Sequence, residues 1–432
     1  MEQKGDKKKM KKYFLIFALL FVSLLPLVAN GQNEGGDGQN VKLVAAIWGG
    51  DTDKMVMEEM LKAAAWELEG IEVEFILLAD YDKTVTTRLV GGQQIDIIAV
   101  GESVHQFSSR NQLVPLNDYI TTTQLDMDNR FGSAKDLYAK DGNVFALPLR
   151  GGPLMLYCNM DVLGEKPGID WRYEEFLNAA QKAYKPGETT ASTMWGFVPA
   201  GNGTWWPWYT SFIYSAGGSL VDEDGKPNFD DPLTIQGLKN YAGFVTTTKV
   251  GPSLQEMADI GQTSPDPVFN SGKAAMIATG WWNVGSLNGA AMNWDIAPMP
   301  NDKGRGSVIF GQGLAISATS EHKEAAFKVI QALTDLPAQK AIVDCHWDIP
   351  SNLNVLNSVH FRDSRWSRNP LDMKVVAEAI ERGAIKLPYN NHWNQMHDVI
   401  GNVVNELLKG NVTAEEAANR IQEELVTLVF ID

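Results

Sequence analysis

The chain of 432 residues is long enough for two globular domains, and its 44% of apolar residues can fill their cores. That composition argues against disorder. The formal charge of −16 at pH 7 disfavours nucleic acid and anionic lipid surfaces as partners, but it says nothing against a neutral ligand.

The first 31 residues have the pattern of a cleaved secretory signal peptide. Lysines from Lys7 to Lys12 form a basic start, and the apolar, uncharged run 13–29 follows. Ala29-Asn30-Gly31 supplies small residues at the positions that a signal peptidase reads, so we predict cleavage before Gln32. An uncleaved anchor is the alternative, because a run of about seventeen residues approaches the length that spans a bilayer. The sequence therefore predicts an exported, freely soluble, periplasmic protein, and the lack of a nearby cysteine disfavours a lipid anchor.

Strand and helix patterns alternate after a Gly-, Asn- and Gln-rich leader, residues 32–40, which we expect to be flexible. The pattern predicts, in chain order, a strand at 41–47, a helix at 54–69, a strand at 71–78, a helix at 84–90 and a strand at 95–100. This order implies a parallel sheet with right-handed crossovers. Ligands of such sheets bind beyond the carboxyl ends of the strands.

The loops at those carboxyl ends carry aromatic rings and carboxylates. Trp48 and Asp51 follow the first strand, Tyr81 follows the second and Glu102 the third. None of these loops has the glycine spacing of a phosphate-binding turn, so a nucleotide site is improbable.

A dense aromatic cluster follows a predicted crossing of the chain at 146–152. Residues 205–216 are predicted to form a helix that Thr204 caps and Gly217 stops. Helical spacing places Trp205 and Trp208 on one inward face and leaves Trp206 as the ring most available to a ligand. Further strands are predicted at 154–158, 294–298 and 311–316.

The last hundred residues are predicted to be mostly helical. An apolar stripe runs from Val399 to Leu408, and Thr413 with Glu416 has the spacing of a capping box for the final helix. The two cysteines, Cys158 and Cys345, have no metal-binding spacing. Two buried free thiols are the favoured prediction for them, and one long-range disulfide is the alternative.

Several different short motifs follow one another along the chain. They are Asp96-Ile97-Ile98 with 112–116, Ala146-Leu147-Pro148, the stretch 156–161, the stretch 269–276 with Gly280-Trp281-Trp282, and Gly311-Gln312-Gly313. In this order the chain resembles the family 1 extracellular solute-binding proteins, the carbohydrate receptors of ABC importers. The resemblance extends over essentially all of the chain after the leader.

The resemblance implies an α/β, two-lobed periplasmic-binding-protein fold of type II, with a multi-strand hinge and a ligand cleft between the lobes. The N-lobe would comprise 41–150 and 304–350, and the C-lobe 151–303 and most of 351–432. A carbohydrate would be enclosed in the cleft, and the closed form would be delivered to the membrane permease of an ABC importer. We expect a monomer with no cofactor and no metal.

The resemblance also implies which residues contact the ligand. By position they are Trp48, Asp51, Glu102 to His105, Arg150, Trp205, Trp206, Trp208, Trp282, and one of Trp393, Asn391 and His392. His105 is expected to be a polar neighbour more than a contact, and Tyr81 and Gln312 complete the candidate set.

These residue types suit a sugar, because a pyranose has an apolar face of C–H groups and a rim of hydroxyls. Flat rings can cover the face, and charged or amide groups can bond to the rim. The stacking candidates are Trp48, Trp206 and Trp282, and the rim candidates are Asp51, Glu102, Arg150 and Gln312. The alternative for each is structural, namely a core tryptophan, or a surface ion pair for Arg150 and Glu102.

A secreted glycoside hydrolase is the competing hypothesis, since such enzymes also combine aromatic rings with acids. Hydrolysis needs two carboxyl groups about 5–10 Å apart, and Asp51 with Glu102 is a candidate pair. No local motif commits these residues to catalysis, and the family resemblance implies binding without chemistry.

Overall fold

The computed structural model describes residues 40–201, 205–287, 290–363, 371, 373–380, 387 and 389–429. The predicted signal peptide, residues 32–39 of the predicted leader and the predicted helix cap Thr204 lie outside these ranges. The strands within them are β1 Val41–Ile47, β2 Ile71–Leu77, β3 Ile97–Val100, β4 Ala139–Lys140, β5 Asn143–Val144, β6 Leu147–Pro153, β7 Met155–Asn159, β8 Met276–Thr279, β9 Trp294–Pro298 and β10 Ile309–Ile316.

Helices pack against these strands. In the first half of the chain they are α1 Asp51–Ala63, α2 Tyr81–Val90, α3 Val104–Ser109, α4 Asn117–Thr122, α5 Met127–Phe131, α6 Met160–Leu163, α7 Tyr173–Ala183 and α8 Trp206–Ala216. In the second half they are α9 Pro232–Thr246, α10 Leu254–Asp259, α11 Pro265–Asn270, α12 Asn283–Leu287, α13 Lys323–Leu333, α14 Leu336–Asp344, α15 Leu353–Leu356, α16 Val359–Arg362, α17 Met373–Glu378, α18 Trp393–Leu408 and α19 Ala414–Val429.

The first sheet has the order β2-β1-β3-β10-β6. Its N-terminal strands β2, β1 and β3 are parallel, as predicted, whereas β10 runs antiparallel to both of its neighbours, β3 and β6. Successive residues of β3 alternate between two apolar cores, with Ile97 and Ala99 in one and Ile98 and Val100 in the other. Helices therefore cover both faces of this sheet, which explains why β3 is apolar throughout.

Helix α1 begins at Asp51, three residues before the predicted start, and ends at Ala63 instead of continuing to residue 69. The earlier start arises because the Asp53 carboxylate accepts a hydrogen bond from the Gly50 N–H at 2.8 Å. Gly49, at a φ of 110°, makes the turn that precedes it. The end of strand β1 is thus joined to the helix by a tight, carboxylate-held turn.

The second sheet has the order β8-β7-β9, with β7 antiparallel to both neighbours. All five residues of β7 are buried, because each face of the strand meets a different core. One of these cores contains the rings of Phe176, Phe197 and Phe212, whose centroids lie 4.9 to 6.1 Å apart. Aromatic packing of this kind holds α7 and α8 against the sheet.

The chain crosses between the two sheets twice in the described ranges. Strand β6 ends at Pro153 and β7 begins at Met155 in the other sheet, and the chain returns between β9 and β10. A Cβ added at Gly151, whose φ is 151°, would lie 2.6 Å from the Cα of Gly311. Glycine therefore allows the two crossing strands to approach each other closely.

The C-terminal helices α18 and α19 pack on each other and on α9. The predicted apolar stripe is buried at Ile400, Val403 and Val404, and Thr413 and Glu416 form the predicted capping box, with hydrogen bonds of 2.8 and 3.1 Å. No helix in the described part of the chain is both long and apolar enough to cross a bilayer.

Both cysteines are free thiols, as favoured over a disulfide. Cys158 is buried in β7, and Cys345 is half-buried just after α14. Burial raises the pKa of the Cys345 thiol, with the negative charge of Glu59 adding to the rise. Both side chains thus behave as small apolar groups.

Candidate functional site

A cavity of about 510 Å³ lies where the strands cross between the two sheets, and we call it the first compartment. Its wall is formed by the loops after β1 and β3, the crossing strands β6 and β10, the start of α8, the segment after β8, and the segment after α14. The lining residues are Trp48, Gly49, Thr52, Asp53, Glu102, Arg150 to Pro153, Trp205, Trp206, Trp281, Trp282, Ser286, Phe310 to Gln312, Trp347 and Asp348. The volume is that of a small-molecule site.

Trp282 is held in place by its neighbours. A Cβ at Gly280 would lie 2.0 Å from the Trp282 ring, so the ring folds over a position that only glycine can occupy. Trp205 meets the Trp282 ring edge-on at 5.5 Å and the Phe310 ring at 5.3 Å. The result is a continuous aromatic wall.

The aromatic cluster at the start of α8 differs from the sequence prediction in one respect. Trp205 is the N-cap, with extended φ and ψ of −84° and 128°, so it precedes the helix and turns into the first compartment. Trp208 is buried as predicted, donates its indole N–H to the Ala278 carbonyl at 3.0 Å and does not line the compartment. Trp206 lines it, but is only 7% exposed. Trp205 packs on Trp208 as predicted, with ring centroids 5.6 Å apart, but it also lines the compartment and is more exposed than Trp206, which was predicted to be the ring most available to a ligand.

The carboxylate that reaches the first compartment from α1 is Asp53, and not the predicted Asp51. Asp51 is exposed and lies outside the lining. The side chain of Asp53 also accepts a hydrogen bond from the Trp347 indole at 3.1 Å and lies 3.6 Å from the Arg150 guanidinium. The early start of α1 explains the difference, since it shifts the inward face of the first turn.

Arg150 lies at the centre of a buried polar network. Its Nη1 donates to Asp348 and its Nε to Gln312, both at 2.5 Å, and its guanidinium stacks on the Trp347 ring at 4.0 Å. Burial raises the pKa of Asp348, and the positive charge of Arg150 opposes that rise. Trp347 and Asp348 escaped sequence reasoning, because the residues around them carry no motif.

Glu102 lies at the carboxyl end of β3, one residue after Gly101, and contributes to the wall. Burial raises the pKa of Glu102 to about 7, and the negative charge of Asp82 adds to the rise. No basic side chain forms an ion pair with Glu102 in the described ranges, so the predicted alternative of a surface ion pair does not hold for this residue.

A second compartment of about 660 Å³ shares Trp48, Glu102 and Trp206 with the first. Its remaining lining residues are Asp80 to Lys83, Gly101, Ser103, Trp393, Asn394, His397 and Asp398. Tyr81 donates its hydroxyl to the Ala46 carbonyl at 2.7 Å and supports Trp48 edge-on, with the ring centroids 5.2 Å apart. The two compartments together form one elongated cleft, to which we refer below as the cleft.

Most of the residues suggested by sequence line this cleft. They are Trp48, Tyr81, Glu102, Arg150, Trp205, Trp206, Trp282, Gln312 and Trp393. Asp51, His105 and Trp208 do not. His105 is buried beside Tyr389, at a ring distance of 6.4 Å, which agrees with its expected role as a neighbour. Burial lowers the pKa of His105 to about 4, so this imidazole is neutral at pH 7.

Two sheets joined by crossing strands around a cleft define a two-lobed binding protein. Residues 48–340 match the family model described as bacterial extracellular solute-binding protein. The chain belongs to that family, which confirms the resemblance on which the sequence analysis relied.

Solved structures share the fold over nearly all of the chain. An ABC substrate-binding protein, Lmo0181 of Listeria monocytogenes in complex with cycloalternan, superposes with a TM-score of 0.82 at 22% identity, covering 91% of this chain and all of that one. The maltose-bound MalE3 of T. maritima gives a TM-score of 0.76 at 20% identity, covering 90% of this chain and all of that one.

Relatives identified by sequence match a shorter part of the chain. A maltotriose-binding protein of Pyrococcus abyssi is 24% identical over 277 residues, which cover 62% of this chain and 56% of the relative. An arabinooligosaccharide-binding protein of Halalkalibacterium halodurans is 23% identical over 50% of this chain and 48% of its own length. The chain therefore spans about half the length of the curated relatives it matches.

Proposed function

We propose that this protein binds a saccharide in the cleft and delivers it to an ABC importer. The observation that carries the proposal is the combination of a wall of indole rings with buried carboxylate, amide and guanidinium groups in one cavity. Trp48, Trp205 and Trp282 would stack on the C–H faces of the sugar. Asp53, Glu102 and Gln312 would bond to its hydroxyls, and Arg150 would orient Asp53 and Gln312.

We further propose that the ligand has more than one sugar unit. The second compartment continues the first across Trp206 and Glu102, and Trp393 offers another ring there. Relatives named for maltotriose and arabinooligosaccharide binding support an oligosaccharide.

The proposed mechanism is closure of two lobes around the ligand. We assign 41–150 and 304–350 to one lobe, and 151–303 and most of 351–432 to the other. We also propose that the protein is exported to the periplasm, is a monomer and docks on permease subunits. Ligand groups that contact both lobes favour the closed state, because only that state satisfies all of them together.

The test is a calorimetric titration with a panel of mono- and oligosaccharides after a thermal-shift screen. A ligand at a hundred times its dissociation constant should stabilise the protein by about 2.7 kcal/mol. Failure of every saccharide to shift the melting temperature would contradict the proposal.

We propose that no chemistry occurs in the cleft. The pair suggested for hydrolysis, Asp51 with Glu102, is not assembled, because Asp51 does not line either compartment. Asp53 and Asp348 are engaged with Arg150 and its neighbours. Incubation with the bound oligosaccharide tests this point, since reducing ends that accumulate with time would establish a glycoside hydrolase.

A further inference from the structure

The charges that line the cleft bear on which saccharides it accepts. Six carboxylates and two basic side chains line the two compartments in the described ranges. In the first compartment the carboxylates are Asp53, Glu102 and Asp348, and the cation is Arg150. The cleft is therefore acidic inside, and not only at its rim.

Arg150 cannot serve as a receptor for an anionic ligand, because its charge is already compensated. Its Nη1 bonds to Asp348 and its Nη2 lies 3.6 Å from Asp53, so two carboxylates flank one guanidinium. Its Nε donates to Gln312. The face of the guanidinium is covered by Trp347 at 4.0 Å.

Among the described carboxylates of the first compartment, Glu102 is the one without a basic partner. It lies on the boundary that the two compartments share, and no described basic group pairs with it. Lys83, the other cation of the cleft, is an exposed residue of the second compartment. The neighbouring carboxylate of Asp82 accepts a hydrogen bond from Asn394 at 2.8 Å. Its negative charge acts on Glu102.

The aromatic wall acts in the same direction. The face of an indole ring carries negative potential, so it attracts an ammonium group and repels a carboxylate. Trp48 and Trp206 border Glu102 in both compartments. Ring faces and carboxylate therefore favour the same ligand charge.

We infer that the cleft selects saccharides with neutral or amine-bearing units over those with uronic-acid units, and that Glu102 sets this selectivity. The inference rests on the proposed saccharide function and narrows its substrate class. An ammonium group would give Glu102 the charge-assisted hydrogen bond that it lacks. A ligand carboxylate would be desolvated beside a like charge.

The test compares ligands of equal shape and different charge. The ligands are maltotriose, cellotriose, β-mannotriose and galactotriose, each prepared in four forms in which the group at C6 is a hydroxyl, an amine, a carboxylate or a carboxamide. All forms are titrated at pH 8, where Glu102 is ionised. The carboxylate and its carboxamide have the same shape, as do the amine and the hydroxyl. We expect the carboxylate to bind about tenfold or more weakly than its carboxamide, and the amine at least as tightly as the hydroxyl, since charged hydrogen bonds are the strong ones.

Glu102→Gln identifies the residue responsible. In this variant we expect the preference for the carboxamide over the carboxylate, as a ratio of dissociation constants, to fall to about threefold or less. The reason is that the side chain bordering both compartments is then neutral. Glu58→Gln, an exposed position on α1 outside the cleft, makes the same charge change and should leave the ratio unaltered.

Each remaining outcome is decisive. A carboxylate that binds as tightly as its carboxamide overturns the charge selectivity while leaving saccharide binding in place. A ratio unchanged by Glu102→Gln overturns the assignment to Glu102. If neither these trisaccharides nor any other saccharide of the panel binds, the proposed function fails and the inference fails with it.

Discussion

Single rings in the cleft owe their positions to specific neighbours, and Trp282 is the best example. Gly280 leaves the space that its ring occupies, and the Trp205 ring packs edge-on against it at a centroid distance of 5.5 Å. We expect Trp282→Ala to weaken saccharide binding by about 1–3 kcal/mol, since the stacked face and its buried area are both lost. Calorimetric titration measures the change.

The control for this prediction is Trp66→Ala, because Trp66 is 75% exposed and lies outside the cleft. It should bind like the parent protein. Equal affinities of Trp282→Ala and the parent would remove Trp282 from the binding wall. Circular dichroism of both variants establishes that any loss is not unfolding.

Glu102 should also make the stability of the ligand-free protein depend on pH. Its pKa rises from 4.5 to about 7 on folding, mainly because of burial, so the folded state holds the proton more tightly than the unfolded chain. Stability from this group is therefore present below pH 4.5 and is lost as the pH rises to about 7. Glu102→Gln stays neutral and should gain free energy of unfolding relative to the parent between pH 5 and pH 8.

Urea unfolding at the two pH values measures that gain. Glu58→Gln provides the reference for removing an exposed carboxylate from the same part of the chain. A difference between Glu102→Gln and the parent that is equal at pH 5 and pH 8 would show that Glu102 ionises normally.

Among the elements, the crossing strands depend on one buried ion pair. Arg150 on β6 joins Gln312 on β10 to Asp348, and its backbone pairs with Pro350. We expect Arg150→Met to destabilise the fold by about 3–5 kcal/mol, because Asp348 is left as an uncompensated buried charge. The double variant Arg150→Met with Asp348→Asn should recover much of that loss.

Denaturant unfolding of the single and double variants forms a double-mutant cycle. Asp344→Asn serves as the control. Asp344 is the last residue of α14 and lies close to Asp348 in the sequence, but its side chain is largely exposed. If the double variant is as unstable as the sum of the singles, the pair is not coupled.

Sequence patterns located the elements better than their ends. The parallel arrangement of β1, β2 and β3 follows from alternating strand and helix, and the stripe on α18 follows from helical spacing. The start of α1 was missed because Asp53 caps it, which depends on a turn at Gly49 that no period reveals. The antiparallel strands β6 and β10 were not foreseen as partners, since their pairing joins residues far apart in the chain.

The residues of the cleft were predicted from the same patterns of strands and helices. The error at Asp51 again comes from a misplaced helix end. Rings after β1 and β2 and near α8 were found from strand ends and composition. Asp51 was chosen over Asp53 because a shift of two residues in the helix start changes which side chain faces inward. Trp347 and Asp348 come from a segment distant in sequence, so only tertiary structure places them beside Arg150.

At the scale of the whole molecule, the start of α18 bridges to helices that pack on the first sheet. Asn394 donates from its side chain to Asp82 on α2 at 2.8 Å and from its backbone to Gln106 on α3 at 3.2 Å. Asn391 accepts from Lys140 at 2.7 Å. Asn394 and Asp82 both line the second compartment, so their hydrogen bond joins its two walls.

Asn394→Ala therefore tests whether closure contributes to affinity. The variant loses the amide bond to Asp82 and leaves that partly buried carboxyl without its donor. In the proposed closure only the closed state makes this bond, so the substitution destabilises that state alone. We expect saccharide affinity to fall about tenfold, given the usual 1.5–3 kcal/mol for a hydrogen bond to a charged group. Asn402→Ala, at an exposed position on the same helix, should bind like the parent.

Small-angle scattering with and without the tightest-binding saccharide of the panel separates closure from simple loss of a contact. The parent should contract on binding, because contacts to both walls are satisfied only when the walls approach. Asn394→Ala at subsaturating ligand should contract less, and at saturation should reach the same radius of gyration as the parent, since enough ligand still drives the equilibrium to the closed state. A parent whose radius is unchanged by ligand would contradict closure, and a variant that never reaches the parent's bound radius would mean that Asn394 defines the shape of the closed state instead of its population.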